Sequence, residues 1–405
     1  MKKVEERFLK YVSFDTQSDG ESVSTPSASK QFKLAEFLLD ELHEMGIEKA
    51  ILTDKCYIYA SIPASKGFED VPAIGFISHL DTSDAASGAD VKYQIIPEWD
   101  GKPIMLGNSG IELIPEPHLK GDTLITTDGT TLLGADDKAG IAAVMTAVER
   151  ILKSSKPHGK ICIGFTPDEE IGRGADYFDT EFFGADYAYT VDGGAAELIE
   201  SENFNAAAAS VLFKGVAAHP GSAKGVMVNA QRVAMEYYLL LPEKETPECT
   251  CGREGFYHLT HSSGTASMFE QHYIIRDHDA EIFEKRKSVM CEIAAKVNSR
   301  YGAGTVEVKI CDQYRNMAEV IDKYPFLIEF AKKAIEDAGM VPVHNPIRGG
   351  TDGARLSFMG LPCPNLGYGA YNAHSEREYA TVQGMEKVVD IISNLIYAFA
   401  VNPVF

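Results

Sequence analysis

The sequence lacks an apolar run long enough to span a bilayer, and it does not open on the apolar core of a secretory signal peptide. Its first fifteen residues, MKKVEERFLKYVSFD, break up their hydrophobic residues with charges. Both absences argue against membrane insertion and export. We therefore expect a cytoplasmic protein.

Positive charge is scarce. The chain has 38 lysines and arginines against 59 aspartates and glutamates, which gives a formal net charge of −21 at pH 7. This balance opposes nucleic acid and anionic membrane as partners, because both repel an acidic protein. It suits a protein that binds metal cations.

The sequence has cysteines but no cysteine framework. The seven are scattered along the chain without the paired spacing of disulfides. Cys249 and Cys251 are close together, but no second pair follows them at the spacing of a thiolate zinc site. We expect reduced thiols.

Several common catalytic motifs are also missing. The sequence has no Gly-x-Ser-x-Gly elbow, no Walker loop and no Gly-x-Gly-x-x-Gly after a predicted strand, and His43-Glu44 lacks the second histidine of a zincin helix. It contains no internal repeat or low-complexity tract. These absences turn attention to its acidic residues and histidines.

The hydrophobic pattern predicts an α/β fold in two parts. At 405 residues the chain exceeds what one hydrophobic core usually supports. Strand-like and helical stretches alternate up to residue 204 and again from residue 313. Between them the order strand, helix, strand, strand, helix, strand predicts a ferredoxin-like βαββαβ module at 205–312. The predicted architecture is a larger α/β domain, 1–204 and 313–405, interrupted by this smaller one.

Acidic residues and histidines recur where predicted strands end or helices begin. Taken singly, each motif has an ordinary explanation, such as a helix cap or a solvated acidic loop. Together, nitrogen and oxygen ligands without thiolate suit catalytic zinc, and carboxylates numerous enough to be shared suit two metals. The candidates are His79 with Asp81, Asp136 with Asp137, the run Asp168 to Glu170, Asp192 and His374.

Nine segments spread from one end of the chain to the other resemble the di-zinc aminopeptidase and deacylase family that includes carboxypeptidase G and succinyl-diaminopimelate desuccinylase. The resemblance implies a di-zinc exopeptidase-type catalytic domain interrupted by a lid and dimerisation domain. The activity it implies is removal of the N-terminal residue from short peptides, chiefly tripeptides. The segments are SHLDTSD, ITTDGTTLLGADDKAG, FTPDEEIGRGA, TVDGG, AAHPGSAKG, EGFYHLT, YIIRDHD, NPIRGGTDGARLS and NAHSERE.

The resemblance also implies a role for each candidate. Asp81 orients His79, and Glu169 is the general base that takes a proton from a metal-bridging water. The peptide bond between Asp136 and Asp137 is expected to be cis. The implied zinc ligands are His79 and Asp192 for one ion, Glu170 and His374 for the other, and Asp136 as the bridge between them.

Three further residues are implied as substrate contacts. In a homodimer formed through the inserted domain, His219 reaches the partner's active site and stabilises the oxyanion. Arg276 and Arg348 grip the peptide carboxylate, because a guanidinium binds a carboxylate bidentately. For both arginines a structural salt bridge is the alternative.

Two other functions stay open at the level of sequence. A deacylase or amidase that acts on N-acyl amino acids shares the same hydrolytic residues. A metal-depleted relative that only binds peptides is the second alternative, although the candidate ligands are intact.

Overall fold

A computed structural model describes residues 1–401 of the chain. It divides into two compact units. The larger contains Met1–Ser201, Met317–Asn345 and the chain from Thr351 onward, and the smaller contains Glu202–Asn316 and Pro346–Gly350. The short second piece of the smaller unit has no counterpart in the predicted boundaries, which assigned it to the larger domain.

The helices of the described residues are α1 (Val4–Tyr11), α2 (Gln31–Glu44), α3 (Ala135–Leu152), α4 (Thr180–Phe183), α5 (Ala230–Leu240), α6 (Ala280–Tyr301), α7 (Ala318–Ile321), α8 (Pro325–Asp337), α9 (Asp352–Phe358) and α10 (Val382–Val401). The strands are β1 (Ile51–Leu52), β2 (Ile58–Ile62), β3 (Ile74–His79), β4 (Tyr93–Ile96), β5 (Ile104–Met105), β6 (Glu112–Leu113), β7 (Leu124–Thr127), β8 (Ile161–Thr166), β9 (Tyr187–Val191), β10 (Leu198–Glu200), β11 (Asn205–Lys214), β12 (Phe256–Gly264), β13 (Met268–Asp277), β14 (Val306–Tyr314), β15 (Val343–His344), β16 (Asn365–Leu366), β17 (Ala370–Tyr371) and β18 (Tyr379–Thr381).

An eight-stranded mixed sheet forms the centre of the larger unit, in the order β1-β2-β8-β3-β9-β16-β10-β15. The middle strands β8, β3, β9 and β16 are parallel. Every residue of β3 and β8 is buried, which explains their nearly continuous apolar sequences. Helix α3 packs on this sheet through β3 and β9 and also contacts α1 and α10.

A separate antiparallel sheet of the larger unit was not predicted. It has the order β17-β18-β7-β4. Strand β7, one of the strand-like stretches before residue 204, pairs in this sheet and takes no part in the parallel array. The alternation of strands and helices along the chain therefore overstates the size of the parallel sheet.

The smaller unit has the predicted order β11, α5, β12, β13, α6, β14. Its four strands form an antiparallel sheet, β12-β13-β11-β14, covered by α5 and α6. Its core includes Phe213, Tyr237, Tyr273 and Ile275. The ferredoxin-like βαββαβ arrangement is confirmed.

Within residues 1–401, no helix combines the length and the apolar character needed to cross a membrane.

Candidate metal centre

Three parallel strands bring the predicted ligands to one edge of the main sheet. His79 is the last residue of β3 and pairs with Thr166, the last residue of β8. The turn that contains Glu169 and Glu170 follows β8, and Asp192 follows β9 directly. Because parallel strands end at the same edge, residues distant in sequence meet there.

The Asp136 carboxylate lies between two histidine–carboxylate pairs. Its Oδ1 is 2.9 Å from His79 Nε2, and its Oδ2 is 3.3 Å from His374 Nε2. Beyond His79, Asp192 Oδ1 is 3.5 Å from the same Nε2, and beyond His374, Glu170 Oε2 is 2.7 Å from that Nε2. One carboxylate thus faces two separate sets of nitrogen and oxygen donors.

The neighbouring Asp137 has a different environment. The Asp136–Asp137 peptide bond is cis, as expected. The buried Asp137 carboxylate accepts hydrogen bonds from the backbone N–H groups of His79 and Gly140, both at 3.2 Å. A Cβ on Gly140 would lie 2.1 Å from Asp137 Oδ1, so glycine is required for this approach. The backbone at Asp136 and Asp137 departs from helical angles, so Asp137 caps the regular part of α3 that follows this kink, as an acid at such a position commonly does.

Sequence reasoning gave no role to Glu378, which holds the chain before and at Asp136. Its fully buried carboxylate accepts hydrogen bonds from the N–H groups of Leu133 and Gly134 at 2.7 Å and of Asp136 at 2.9 Å. It comes from the same loop as His374. The available signal was an acid four residues after that histidine, directly before the apolar run Tyr379–Ala380.

Asp81 contacts His79 and the acidic turn at once. The Nδ1 of His79 is 3.0 Å from the backbone oxygen of Asp81 and 3.4 Å from its carboxylate. The carboxylate instead accepts hydrogen bonds from the N–H groups of Glu169 at 3.0 Å and Glu170 at 3.2 Å. The imidazole thus lies closer to a carbonyl than to the expected carboxylate, while the side chain holds the turn.

Burial and crowding shift the pKa values of the site. Hydrogen bonds to Asp136 and then Glu170 raise the pKa of His374 to about 11. Burial, followed by repulsion from Asp136, raises the pKa of Asp192 well above its usual range, and burial with repulsion from Asp192 does the same for Glu169. For Asp136 burial favours the neutral acid, but contacts with both histidines outweigh it and lower the pKa. Negative charge is in excess here.

The site contains donor groups that could hold a metal cation. Ligand atoms lie within 4.8 Å of one another in two groups, His79 with Asp137 and Asp192, and His79 with Asp136 and Glu170. Asp137 is the weaker member, because both its oxygens already accept backbone hydrogen bonds. Within residues 1–401, no lysine or arginine nitrogen comes within 4.0 Å of a carboxylate of Asp136, Asp192 or Glu170. Imidazole and carboxylate donors without a protein cation suit metals such as zinc.

The other three predicted residues belong to the smaller unit. His219 is exposed, and its Nδ1 accepts a hydrogen bond from the N–H of Gly221. Arg276 is buried and donates to the carbonyls of Ala207 and Ile275. Arg348 donates to carbonyls of the 250–254 loop and lies over the Phe204 ring. Both guanidinium groups therefore have structural partners.

The model of the peptidase family M20/M25/M40 matches residues 127–398. That match covers more than half of the chain, which therefore belongs to this family.

Curated relatives extend the match over the full length. A Peptidase T from Clostridium perfringens is 51% identical, covering 99% of this chain and all of its own. A Peptidase T from Shewanella sediminis is 50% identical, covering 96% of each chain. This similarity confirms the family resemblance seen in the sequence. It also confirms the predicted enzyme class, a metallo-aminopeptidase.

Solved structures confirm the predicted fold class. Aminopeptidase PepT from Bacillus cereus has a TM-score of 0.79 at 23% identity, with 98% of each chain covered. A dinuclear metal-binding peptidase of the M20 family from Bacillus subtilis has a TM-score of 0.67 at 14% identity, with 97% of this chain and 96% of its own covered.

Proposed function

We propose that the chain is a di-zinc aminopeptidase that removes the N-terminal residue from short peptides, chiefly tripeptides. The observation that carries this proposal is the placement of Asp136, whose two carboxylate oxygens face His79 and His374 separately. A shared carboxylate between two donor sets is what a pair of metal ions needs. The similarity to relatives named Peptidase T supports tripeptides as substrates.

The residues that would hold the ions form two sets around the Asp136 bridge. His79 and Asp192 would hold one zinc, and Glu170 and His374 would hold the other. When bound, the ions supply Lewis-acid polarisation of the scissile carbonyl and a lowered pKa for the attacking water. Asp81 supports this arrangement in two ways. Its backbone oxygen contacts the His79 ring, and its carboxylate accepts the backbone N–H groups of Glu169 and Glu170.

Glu169 serves as the general base in this proposal. It accepts a proton from the attacking water and passes it to the departing amine. The Glu170 carboxylate is 2.7 Å from His374 Nε2, whereas within residues 1–401 no histidine, lysine or arginine nitrogen lies within 4.0 Å of the Glu169 carboxylate. Two adjacent acids thus have different surroundings, which supports one ligand and one base.

His219 completes the site of a partner subunit in a homodimer formed through the smaller unit. Because its Nδ1 accepts the Gly221 N–H, the neutral ring carries its proton on Nε2 and presents a donor suited to an oxyanion. Arg276 and Arg348 bind the peptide carboxylate with the N–H groups that their backbone contacts leave over. We also propose a cytoplasmic location.

A digest read by mass spectrometry tests the activity. We expect free N-terminal residues from unmodified tripeptides, no release from N-acetylated ones, and no release after chelation. Cleavage of only the acetylated set would establish the deacylase alternative instead. No hydrolysis of either set by zinc-loaded protein would indicate the peptide-binding relative.

The dimer has its own test. Light scattering should report twice 44.2 kDa. Mixing a His219→Ala variant with a variant that lacks a metal ligand should restore part of the activity, because each subunit supplies what the other lacks. A fully active monomer would exclude a role for His219 in the partner's site.

A further inference from the structure

The first acid of the Asp168–Glu170 run has no role in the proposed mechanism, yet it is fully buried. Its carboxylate accepts three hydrogen bonds: from the N–H of Ser27 at 2.7 Å, from the Ser27 hydroxyl at 2.5 Å and from Gln31 Nε2 at 2.7 Å. Burying a carboxylate is costly unless its oxygens are satisfied in this way. These donors come from Ser27, which precedes α2, and from Gln31, the first residue of that helix.

The backbone at Asp168 is also unusual. Its φ of +59° lies in the left-handed region, which non-glycine residues seldom occupy. The carbonyl of Asp168 accepts the N–H of Arg173 at 2.9 Å and closes the turn. Such a conformation persists where its surroundings hold it. The hydrogen bonds to Ser27 and Gln31 are the side-chain contacts that do so.

A second attachment joins the same two segments. The Arg173 guanidinium donates to the carbonyls of Ser22 and Ser24, both at 2.7 Å, and to the Thr25 hydroxyl at 3.0 Å. The stretch from Ser22 to Gln31 is therefore joined to both ends of the acidic turn. Within the turn, the Asp81 carboxylate accepts hydrogen bonds from the backbone N–H groups of Glu169 and Glu170.

We propose that Asp168 is a positioning residue: by binding Ser27 and Gln31, its carboxylate fixes the turn that aims Glu169 at the attacking water. The inference rests on the proposed role of Glu169 as general base. A displacement of about 1 Å in a catalytic group costs up to ~10²-fold in rate. The entry to α2 thereby becomes part of the catalytic apparatus, although it supplies no group to the reaction.

The first variant is Asp168→Asn, which keeps the size of the side chain and tolerates the left-handed backbone. Its amide NH₂ would face Ser27 and Gln31 donors, so at least one contact is lost. With zinc in excess, we expect kcat for a tripeptide to fall about 10- to 100-fold while KM stays within about threefold and the metal content matches the wild type. Gln31→Met, which removes one donor of three, should give a smaller fall in kcat.

Exchanging donor and acceptor provides the rescue. In the double variant Asp168→Asn with Gln31→Glu, the amide introduced at position 168 can donate to the new carboxylate while its oxygen accepts the Ser27 N–H. We expect this exchange to recover most of the kcat lost in Asp168→Asn. A merely stabilising role predicts recovery of the unfolding temperature without any change in kcat.

Tyr11→Phe is the matched control. It removes a buried hydrogen bond of 2.6 Å to Glu41, in the same helix as Gln31 but far along it, and should lower the unfolding temperature with kcat unchanged. The proposal is overturned if Asp168→Asn keeps its kcat, or if the exchange restores stability but not kcat. Wild-type protein that cleaves no tripeptide, or Glu169→Gln that keeps its kcat, would instead refute the proposed function.

Discussion

Two buried acidic regions of the larger unit balance their negative charge in opposite ways. In the first, which we call the Arg7 cluster, Arg7 lies between Glu41 and Glu149, with Lys2 beside them. Its Nε is 3.0 Å from Glu41 and its Nη2 is 2.7 Å from Glu149. Burial favours protonation of Glu149, but hydrogen bonds from Lys153 and Arg7 lower its pKa to about 2. Here the chain itself supplies the cation.

At the sheet edge that carries His79, no lysine or arginine of residues 1–401 pairs with the carboxylates of Asp136, Asp192 or Glu170. In the part of the chain that the structure describes, the basic side chains within 4.0 Å of these carboxylates are His79 and His374. Burial of acidic residues alone therefore does not identify a metal centre. A buried carboxylate paired with an arginine is already neutralised, whereas a buried cluster of carboxylates without one is a candidate for binding a metal cation.

Of the changes that would distinguish the two regions, removal of metal should have the largest effect on activity and stability. Chelation should abolish peptide hydrolysis and lower the unfolding temperature, because uncompensated carboxylates then repel one another. Added zinc should restore both, as followed by activity and calorimetry. The Arg7 cluster, which contains its own cation, should not respond. Full activity after verified metal removal would contradict the proposed role of the edge.

Next in size are the effects of replacing the two adjacent acids. Glu169→Gln should lower kcat by ~10²–10⁴-fold with little change in KM, because a proton acceptor is lost while the ligands remain. Glu170→Gln should lose zinc, and added zinc should partly restore its activity. Kinetics alongside elemental analysis distinguishes them. Loss of zinc from Glu169→Gln alone would reverse the two assignments.

Removing the cation of the Arg7 cluster should affect stability only. Arg7→Met removes the buried cation between Glu41 and Glu149 and leaves them only the more exposed Lys2 and Lys153, which should cost up to ~3–5 kcal/mol of unfolding free energy. Denaturant titration measures this loss. Metal content and kcat of the folded protein should be unchanged, and a variant with depleted zinc would show that the two regions are coupled.

The smallest effect is expected from replacing Glu378, which supports the proposed bridging residue Asp136. Glu378→Gln places an amide NH₂ among the backbone N–H groups of Leu133, Gly134 and Asp136, so one hydrogen bond is lost and Asp136 is held less firmly. Loss of such support typically weakens metal binding by ~10–100-fold. A competition titration against a chromophoric chelator measures the change. Wild-type affinity would show that Glu378 acts on the fold alone.

The sequence predicts which residues gather at the sheet edge better than it predicts the residues that hold them in position. His79, Glu170 and Asp192 are foreseeable, because each follows an apolar stretch and parallel strands end at a common edge. Glu378 and Asp168 are not foreseeable as supports. Their partners are fixed only by tertiary contacts, over 242 residues from Asp136 to Glu378 and 141 from Ser27 to Asp168.

The fold shows the same division. Repeating local patterns predict the βαββαβ order of the smaller unit, since each element has its own periodicity. The sheet β17-β18-β7-β4 has no such signal, because it pairs Leu124 with Thr381 across the length of the chain. The piece Pro346–Gly350 likewise joins the smaller unit through non-local contacts, including the Arg348 hydrogen bonds to the 250–254 loop.

In our proposal, the acidic edge of the main sheet becomes an aminopeptidase site when bound metal ions neutralise its carboxylates. The most direct test titrates zinc into chelator-stripped protein while the release of the N-terminal residue from an unmodified tripeptide is measured. We predict no activity before zinc is added, and an activity that rises until two zinc ions are bound per chain. A plateau at one ion, or activity that does not depend on zinc, would contradict it.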